Sequence, residues 1–420
     1  MKQSGIDWIG EIPDDWKTRQ IRYLFSLRDE RNYKPLSEVN LISVYTDKGV
    51  LQHSDIEQTT GNKAQNADGY KHVYKNDLVV NIILCWMGAL GISDFDGVTS
   101  PAYDVYVPKD LSIILPKYYH YLFRTPQFNG KCYTEGRGIM QMRWRTYSSE
   151  FKSIKVPLPP KVIQQRIAEY LDSKCAQIDS IIEESKKSIE EYKAWKQSVI
   201  FEAITGNLKT DSRKLKDETF TDKWQLKKIK YVAEYNTETL PENTKDEFNF
   251  NYIDIGSVKF GEGITNFQNM IFKDAPSRAR RIVKKDDVII SSVRTYLRAI
   301  ARIEESEIPQ IASTGFVVFS SKPQKILPRF LFYAISSESF VGKVEANSVG
   351  ISYPAINACQ IANFKIPLPP LPAQESIAKM LDSKCAQIDS LIAEKESLIQ
   401  DLAEYKKSLI FEVVTGKRSV

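Results

Sequence analysis

Apolar side chains recur at alternating steps of four and three residues in two separate stretches of the chain, residues 171–199 and 381–409. This spacing is the heptad pattern of a coiled coil, and it continues for about four heptads with charged residues between the apolar ones. Proline precedes each stretch, and Thr-Gly follows each one, at 205–206 and 415–416. Two long helices are therefore predicted. The positions predicted to form their interface are Leu171, Ile178, Ile182, Ile189, Leu381, Ile388, Ile392 and Ile399.

The two stretches belong to an internal repeat. Residues 157–206 align without gaps to residues 367–416 at an offset of 210, with 27 identities in 50 pairs, including an unbroken LDSKCAQIDS. A long repeat of this kind determines the architecture of a chain. We predict four domains: a first globular domain at 1–156, a central helical spacer at 157–209, a second globular domain at 210–366 and a C-terminal helical spacer at 367–420.

The helices have more than one possible partner. Each could pack on its own globular domain, or the chain could dimerise through them. The second copy within the same chain favours an intramolecular pair, because it supplies a matched partner at high effective concentration. If a pseudo-two-fold axis relates the halves, the pair is an antiparallel coiled coil that separates the globular domains.

The globular portions show short runs of aromatic and β-branched residues bounded by Gly, Pro and Asp, which predict strands. These runs are at 39–45, 78–84, 102–107, 252–258, 288–293 and 316–319. Brief helical stretches follow Pro116 and Pro328. The predicted class is α+β, with two α/β domains joined by the two long helices.

Composition excludes several classes of protein. The longest uncharged run, residues 78–93, is too short and too polar for a membrane span. The first ten residues show no signal peptide, so a cytoplasmic location is expected. Five scattered cysteines without a CxxC pair argue against a disulfide framework and structural zinc. The formal charge of +5 is a mild indication of a polyanionic partner.

Motifs for catalysis are missing from the sequence. It has no GxxxxGK[ST] loop, no HExxH, no GxSxG and no glycine-rich dinucleotide fingerprint after a strand. We therefore expect no catalytic residue, no metal ligand and no cofactor in this chain, which would not be an enzyme by itself.

Clusters of basic and aromatic residues are the candidate nucleic-acid contacts. They occur in GRGIMQMRWRTY, SRARRIVKK and RTYLR. Guanidinium groups suit guanine edges and phosphates, and Gln suits adenine. The candidates are Lys63, Lys71, Arg137, Gln141, Arg143, Arg145, Arg278, Arg280, Arg281, Arg294, Tyr296, Arg298 and Tyr353. For each arginine, a solvated surface position or an internal ion pair is the alternative.

Taken together, these features resemble the specificity subunit of Type I restriction-modification systems over essentially the whole chain. The motifs that carry the resemblance are SGIDWIGEIPDDW, SPAYDVYV, the GI..R segment at 138–145, PLPP before each heptad helix, and the terminal FEAITG and FEVVTG. The family usually places Glu-Gln after the proline hinge. Gln164 and Gln374 match, but Ile163 and Ala373 replace the acid.

The resemblance implies two target-recognition domains that each read one part of a bipartite double-stranded DNA sequence, with the helices acting as a ruler. It also implies two modification subunits, which bind S-adenosylmethionine and flip the target adenine, and restriction subunits that use ATP and Mg²⁺. The alternative from another class is a coiled-coil assembly scaffold whose repeated domains bind protein.

Overall fold

The computed structural model describes residues 1–55, 66–139, 144–206 and 224–420. The chain divides into two units: unit 1 comprises Met1–Lys186 and Ser397–Val420, and unit 2 comprises Lys187–Glu396. The division falls within the two long helices, α5 (Lys161–Thr205) and α9 (Leu371–Val414), so each unit contains a segment of both.

Unit 1 contains twelve strands and four short helices among its described residues. The strands are β1 (Lys2–Gln3), β2 (Glu11–Ile12), β3 (Lys17–Gln20), β4 (Phe25–Arg28), β5 (Ile42–Tyr45), β6 (Gly49–Gln52), β7 (Lys71–Val73), β8 (Leu78–Asn81), β9 (Leu90–Ile92), β10 (Gly97–Thr99), β11 (Tyr103–Pro108) and β12 (Lys155–Leu158). The helices are α1 (Ile21–Leu24), α2 (Pro116–Phe123), α3 (Pro126–Glu135) and α4 (Ser148–Ser153).

Unit 2 also contains twelve strands, together with three short helices, in its described part. The strands are β13 (Gln225–Lys228), β14 (Ala233–Tyr235), β15 (Asn249–Ile253), β16 (Val258–Lys259), β17 (Gly263–Ile264), β18 (Gln268–Ile271), β19 (Ala279–Val283), β20 (Val288–Ser291), β21 (Ile300–Arg302), β22 (Gln310–Ser313), β23 (Phe316–Ser321) and β24 (Lys365–Leu368). The helices are α6 (Pro328–Ser336), α7 (Glu338–Ala346) and α8 (Ala358–Asn363).

The same antiparallel sheet forms the centre of each unit. Its strand order is β4-β11-β8-β9 in unit 1 and β14-β23-β20-β21 in unit 2. Unit 2 has a second four-stranded sheet, β18-β15-β22-β19, in which β15 and β22 are parallel. In unit 1 the corresponding region consists of the pairs β5-β6 and β7-β10, with one parallel bridge between Leu41 and Val98. The two units therefore share a framework and differ around it.

Each of the six predicted strand regions contains an observed strand, so the mixed helix and sheet class is confirmed. Two of these strands end earlier than predicted because a polar side chain turns the backbone. The Asn81 side chain accepts hydrogen bonds from the N–H groups of Ile83 and Leu84, which ends β8. Asp254 accepts from the N–H and the hydroxyl of Ser257, which ends β15.

Both long helices end where the repeat predicts. Gly206 follows α5 and Gly416 follows α9 by two residues, and both have a positive φ, 77° and 73°. Glycine reaches this left-handed conformation without a Cβ clash, which makes it the usual residue after a helix. Within the described chain, no helix is both long enough and apolar enough to cross a membrane.

In unit 1, segments of both long helices share the hydrophobic core of the first globular portion. Leu171 and Ile178 of α5 belong to the same buried cluster as Leu409 and Val413 of α9. At the surface, the Lys406 Nζ lies 2.7 Å from an Asp179 carboxylate oxygen. The helix of the second repeat therefore completes the core of the first globular portion.

Unit 2 has the reciprocal arrangement. Ile200 and Ile204 of α5 pack in one cluster with Leu381 of α9, and the Lys196 Nζ lies 2.8 Å from Asp389. Of the eight predicted interface positions, Leu171, Ile178, Ile189, Leu381 and Ile388 are buried, and Ile182, Ile392 and Ile399 are partly buried.

Candidate nucleic-acid interface

A loop follows α3 in unit 1 and runs from Arg137 to Arg145. The backbone of Arg137 and Arg145 closes it through two reciprocal hydrogen bonds of 2.9 and 3.1 Å. The Thr146 N–H then donates to the Ile82 carbonyl just after β8, which fixes the end of the loop to the central sheet. Ile139, two residues after Arg137, has 96% of its surface exposed.

Unit 2 carries the equivalent loop after α7. Val349 and Ala355 close it with reciprocal bonds of 2.8 and 3.0 Å, and the Ile356 N–H donates to the Ser292 carbonyl after β20. Ile356 and Ser292 lie 210 positions after Thr146 and Ile82. The hydrogen bond that joins the end of the loop to the central sheet therefore occurs at equivalent positions of the repeat. Ile351, in this loop, is fully exposed at 103% of its reference surface.

A groove of about 340 Å³ lies at the base of the unit 2 loop. It is lined by Arg278, Arg294 and Tyr353, three of the residues predicted from sequence. The Arg294 guanidinium lies 5.0 Å from the centre of the Tyr353 ring, a cation–π contact. The Arg278 Nε donates to the Tyr252 hydroxyl at 3.3 Å, and its side chain remains exposed.

The backbone helps to present the Arg294 side chain. Arg294 has φ 51° and ψ 48°, in the left-handed region, at the start of the short helical turn 295–297. This conformation is costly for a residue with a Cβ, and it occurs where the surrounding structure enforces it. Here the surroundings are the bridge between Val293 and Ala355 and the Ser292 N–H donating to the Gly315 carbonyl at 2.7 Å. Tyr296, in the turn itself, is 54% exposed.

In unit 1 the arginines beside the loop remain accessible. The Arg137 guanidinium lies 3.0 Å from Glu150 and 5.2 Å from the Tyr147 ring centre, yet 69% of its side chain is exposed. Trp144 stacks on Tyr133 at a centroid distance of 5.0 Å, so an aromatic pair joins the end of the loop to α3. Arg145 is partly buried.

Several other predicted residues are engaged within the protein. Arg298 binds Glu345 through two hydrogen bonds of 2.8 and 3.0 Å and Glu338 through a third of 2.8 Å. These hydrogen bonds, the one to Glu345 most, raise the pKa of Arg298. Lys71 is buried and its Nζ lies 3.0 Å from Asp104. A buried charge needs such a partner, which gives Lys71 a structural role.

Arg280 and Arg281 lie in β19, away from the groove lining. The Arg280 guanidinium lies 4.8 Å from the Phe272 ring centre. Arg281 is partly buried, its Nε has no partner among the described residues, and desolvation lowers its pKa. Lys63, Gln141 and Arg143 lie outside the described residues.

The arrangement can bind a polyanion that also presents flat apolar surfaces. Guanidinium groups bind phosphate oxygens or base edges, and tyrosine rings stack on the faces of bases. Among the described residues, no cluster of three or more His, Cys, Asp or Glu side chains is arranged to hold a metal ion. Sequence reasoning missed Ile139 and Ile351. The one signal for them is the Gly-Ile dipeptide that both loops contain, at 138–139 and 350–351.

The sequence matches the family described as the Type I restriction modification DNA specificity domain twice, over residues 13–191 and 221–400. The two matches together span most of the chain. The chain belongs to this family. Each match covers most of one globular portion together with part of the long helix that follows it, which agrees with the internal repeat.

Similar proteins carry names that are consistent with this family. The Type I restriction enzyme MjaVIII specificity subunit of Methanocaldococcus jannaschii is 25% identical over 419 residues, covering 97% of this chain and 93% of that protein. The same organism's MjaX protein, named a putative specificity subunit, is 23% identical over 441 aligned positions, covering 97% and 95%.

Solved structures show the same fold. A chain from a study of complex assembly and conformational transition of the type I R-M system has a TM-score of 0.71 at 14% identity, with 97% and 100% of the two chains covered. The HsdS subunit of Thermoanaerobacter tengcongensis has a TM-score of 0.55 at 14% identity, with 97% and 98% covered.

Proposed function

We propose that this chain is the DNA-recognition subunit of a Type I restriction-modification system and reads a bipartite target, one half-site per unit. The family match over both halves carries this proposal. The loops closed by Arg137 and Arg145 and by Val349 and Ala355 support it, since each unit would then have one reading surface on the same framework. The loops and the surrounding sheets differ between units, which fits two unlike half-sites better than a palindrome.

Under this proposal, partner subunits would carry out the chemistry of the system. This chain would contribute base and phosphate contacts and would not be catalytic by itself. Phosphate contacts position a protein on the duplex, and base contacts specify the sequence. Two modification subunits would hold S-adenosylmethionine and the flipped adenine, and restriction subunits would supply ATP- and Mg²⁺-dependent cleavage.

The long helices would act as an antiparallel coiled-coil spacer between the reading surfaces. Two ion pairs support this arrangement: Lys406 with Asp179, and Lys196 with Asp389. Lys406 and Asp389 lie 210 positions after Lys196 and Asp179. The same lysine–aspartate pair therefore occurs twice, with the lysine and the aspartate exchanged between the two helices, as two-fold symmetry requires. Residue 179 of α5 pairs with residue 406 of α9, and residue 196 of α5 pairs with residue 389 of α9. The residue number in α9 therefore falls as the residue number in α5 rises, as in antiparallel helices.

Mapping methylated adenines in the genome of a host that carries this subunit and its modification partner tests the reading function. The expected result is one bipartite sequence with a fixed gap, methylated only when both half-sites are present. Methylation at a single uninterrupted site, or none that depends on this chain, would contradict the proposal.

Shortening the helices tests the spacer. Deleting one heptad from each, residues 186–192 and 393–399, removes about 10 Å of helix, equivalent to about 3 base pairs. The gap between methylated half-sites should shorten accordingly. Lys187→Ala, an exposed substitution within the same segment, is the control and should leave the gap unchanged. The same gap after the deletion would refute the spacer.

The scaffold alternative predicts binding to protein instead of DNA. DNA affinity falls steeply as salt concentration rises, because phosphate contacts release condensed counterions. Binding of a bipartite duplex by the complex of this chain with its modification subunits should therefore weaken steeply between low and physiological salt. Tight binding to a protein partner combined with indifference to DNA sequence would favour the scaffold.

A further inference from the structure

Two isoleucines are far more exposed than any other in the described chain. Ile139 is 96% exposed and Ile351 is 103% exposed, and the next most exposed described isoleucine, Ile113, reaches 46%. A scattered exposed apolar residue is ordinary, but a side chain with its entire surface in water makes no contact that stabilises the fold. Folding therefore does not explain why an isoleucine occupies either position.

The two positions are equivalent when each is counted from the start of its loop. Each isoleucine lies two residues after the first closing residue of its loop, Arg137 or Val349, and each follows a glycine. The loops otherwise differ in length and in sequence, with closing pairs 137–145 and 349–355. The Gly-Ile dipeptide is thus kept at the same place in two surfaces that differ around it.

Backbone hydrogen bonds fix the two ends of each loop before any partner binds. Reciprocal backbone hydrogen bonds close each loop, and a further bond joins each loop end to the central sheet. A side chain presented on a fixed backbone loses less conformational entropy when it is buried by a partner. Burial of a whole isoleucine side chain is strongly favourable, so each isoleucine is suited to packing against an apolar surface of a partner.

Arginines lie near both isoleucines, which indicates that the partner surface is negatively charged. Arg137, 69% exposed, closes the loop that carries Ile139. The exposed Arg294 stacks on Tyr353, two residues after Ile351. An apolar side chain flanked by guanidinium groups matches duplex DNA, where bases lie between rows of phosphates. Isoleucine is also among the residues that proteins insert between base steps.

We propose that Ile139 and Ile351 are the apolar base contacts of the two reading surfaces, each packing against the bases of its own half-site while the neighbouring arginines bind phosphates. This inference rests on the proposed DNA-recognition function and adds a specificity contact to it. It assigns the contacts to residues that no basic or aromatic pattern indicates.

The test uses the complex of the full chain with its modification subunits and a duplex carrying the sequence recovered from the methylation map. Ile351→Ser and Ile139→Ser should each weaken binding by about tenfold, the equivalent of burying most of one aliphatic side chain. The loss should be the same at each salt concentration, because an apolar contact releases no counterions. Ile351→Leu should restore most of the affinity.

Ile113→Ser in unit 1 and Ile308→Ser in unit 2 are the matched controls, since both are exposed isoleucines outside the two loops. Thermal unfolding of every variant should match the original chain. Wild-type affinity for Ile139→Ser and Ile351→Ser, or a loss no larger than that of the controls, would overturn this inference and leave the proposed function standing. If the unaltered complex failed to prefer the mapped duplex over a scrambled one, both would fall.

Discussion

The side-chain amide of Gln164, in the first turns of α5, accepts a hydrogen bond from the Leu115 N–H at 2.7 Å. Its Nε2 donates to the carbonyls of Ile113 and Pro159 at 2.8 and 2.9 Å. The side chain is fully buried, so one glutamine satisfies three backbone groups where the long helix meets the globular portion. Gln374 makes the equivalent three bonds in unit 2, to Leu327, Lys325 and Pro369.

Gln164→Leu should lower the free energy of unfolding by about 2–4 kcal/mol, because it leaves buried backbone groups without partners. Gln165→Leu is the matched control: the adjacent glutamine is exposed and contacts only Glu169 on the next turn among the described residues. Chemical denaturation of the two variants measures the difference. Equal stability of both would show that water replaces the Gln164 bonds at little cost.

Lys71→Met should destabilise unit 1 by about 3 kcal/mol, because the Asp104 carboxylate, which is largely shielded from solvent, would lose its cation. Combining Lys71→Met with Asp104→Leu should recover much of this loss. Lys75→Met, at an exposed lysine nearby, is the control. A Lys71→Met variant that unfolds normally but binds DNA weakly would instead support the sequence prediction that Lys71 contacts DNA.

His120 should make unit 1 less stable in mild acid. Burial, assisted by the positive charges of Arg124 and Lys117, lowers the pKa of His120 to about 4. The neutral Nδ1 accepts a hydrogen bond from the Ile92 N–H at 3.3 Å. The unfolded chain takes up a proton near the ordinary histidine pKa of about 6.5, whereas the folded chain does not until about pH 4. The unfolding free energy that neutral His120 contributes above pH 6.5 is therefore lost as the pH falls toward 4.

His120→Asn, which keeps an acceptor but does not titrate, isolates this effect. Between about pH 7.5 and about pH 5 the unaltered chain should lose about 2 kcal/mol more unfolding free energy than the variant. Denaturant titrations at both pH values measure the difference. Parallel losses in the two proteins would mean that His120 is protonated in the folded state.

The sequence predicted the features that repeat and missed those that depend on distant residues. Heptad spacing and the offset of 210 located both long helices, because local periodicity determines them. The engagement of Arg298 by Glu345, 47 positions away, had no local signal, and neither did the pairing of Lys71 with Asp104. The Arg294–Tyr353 contact likewise requires the fold to bring two loops together. Exposure of Ile139 contradicts ordinary hydrophobic patterning, and the shared Gly-Ile dipeptide does not by itself predict that the side chain is exposed.

Arg294 and Arg298 lie in the same short turn, have the same φ of 51°, and should behave differently when replaced. Arg294 is exposed and its guanidinium contacts the Tyr353 ring, so its charge is available to DNA. The charge of Arg298 is already neutralised by Glu338 and Glu345. Arg294→Gln should therefore weaken binding of the mapped duplex and reduce the salt slope by about 1 if it meets a phosphate.

Arg298→Gln should leave the salt slope unchanged and lower the unfolding free energy by about 1–2 kcal/mol, because two carboxylates lose their partner. Affinities of the complex with its modification subunits at several salt concentrations, together with denaturation of the isolated variants, separate the two effects. If both substitutions reduced the slope equally, the ion pairs of Arg298 would have to open on DNA. In that case internal pairing would not distinguish structural arginines from reading arginines in this turn.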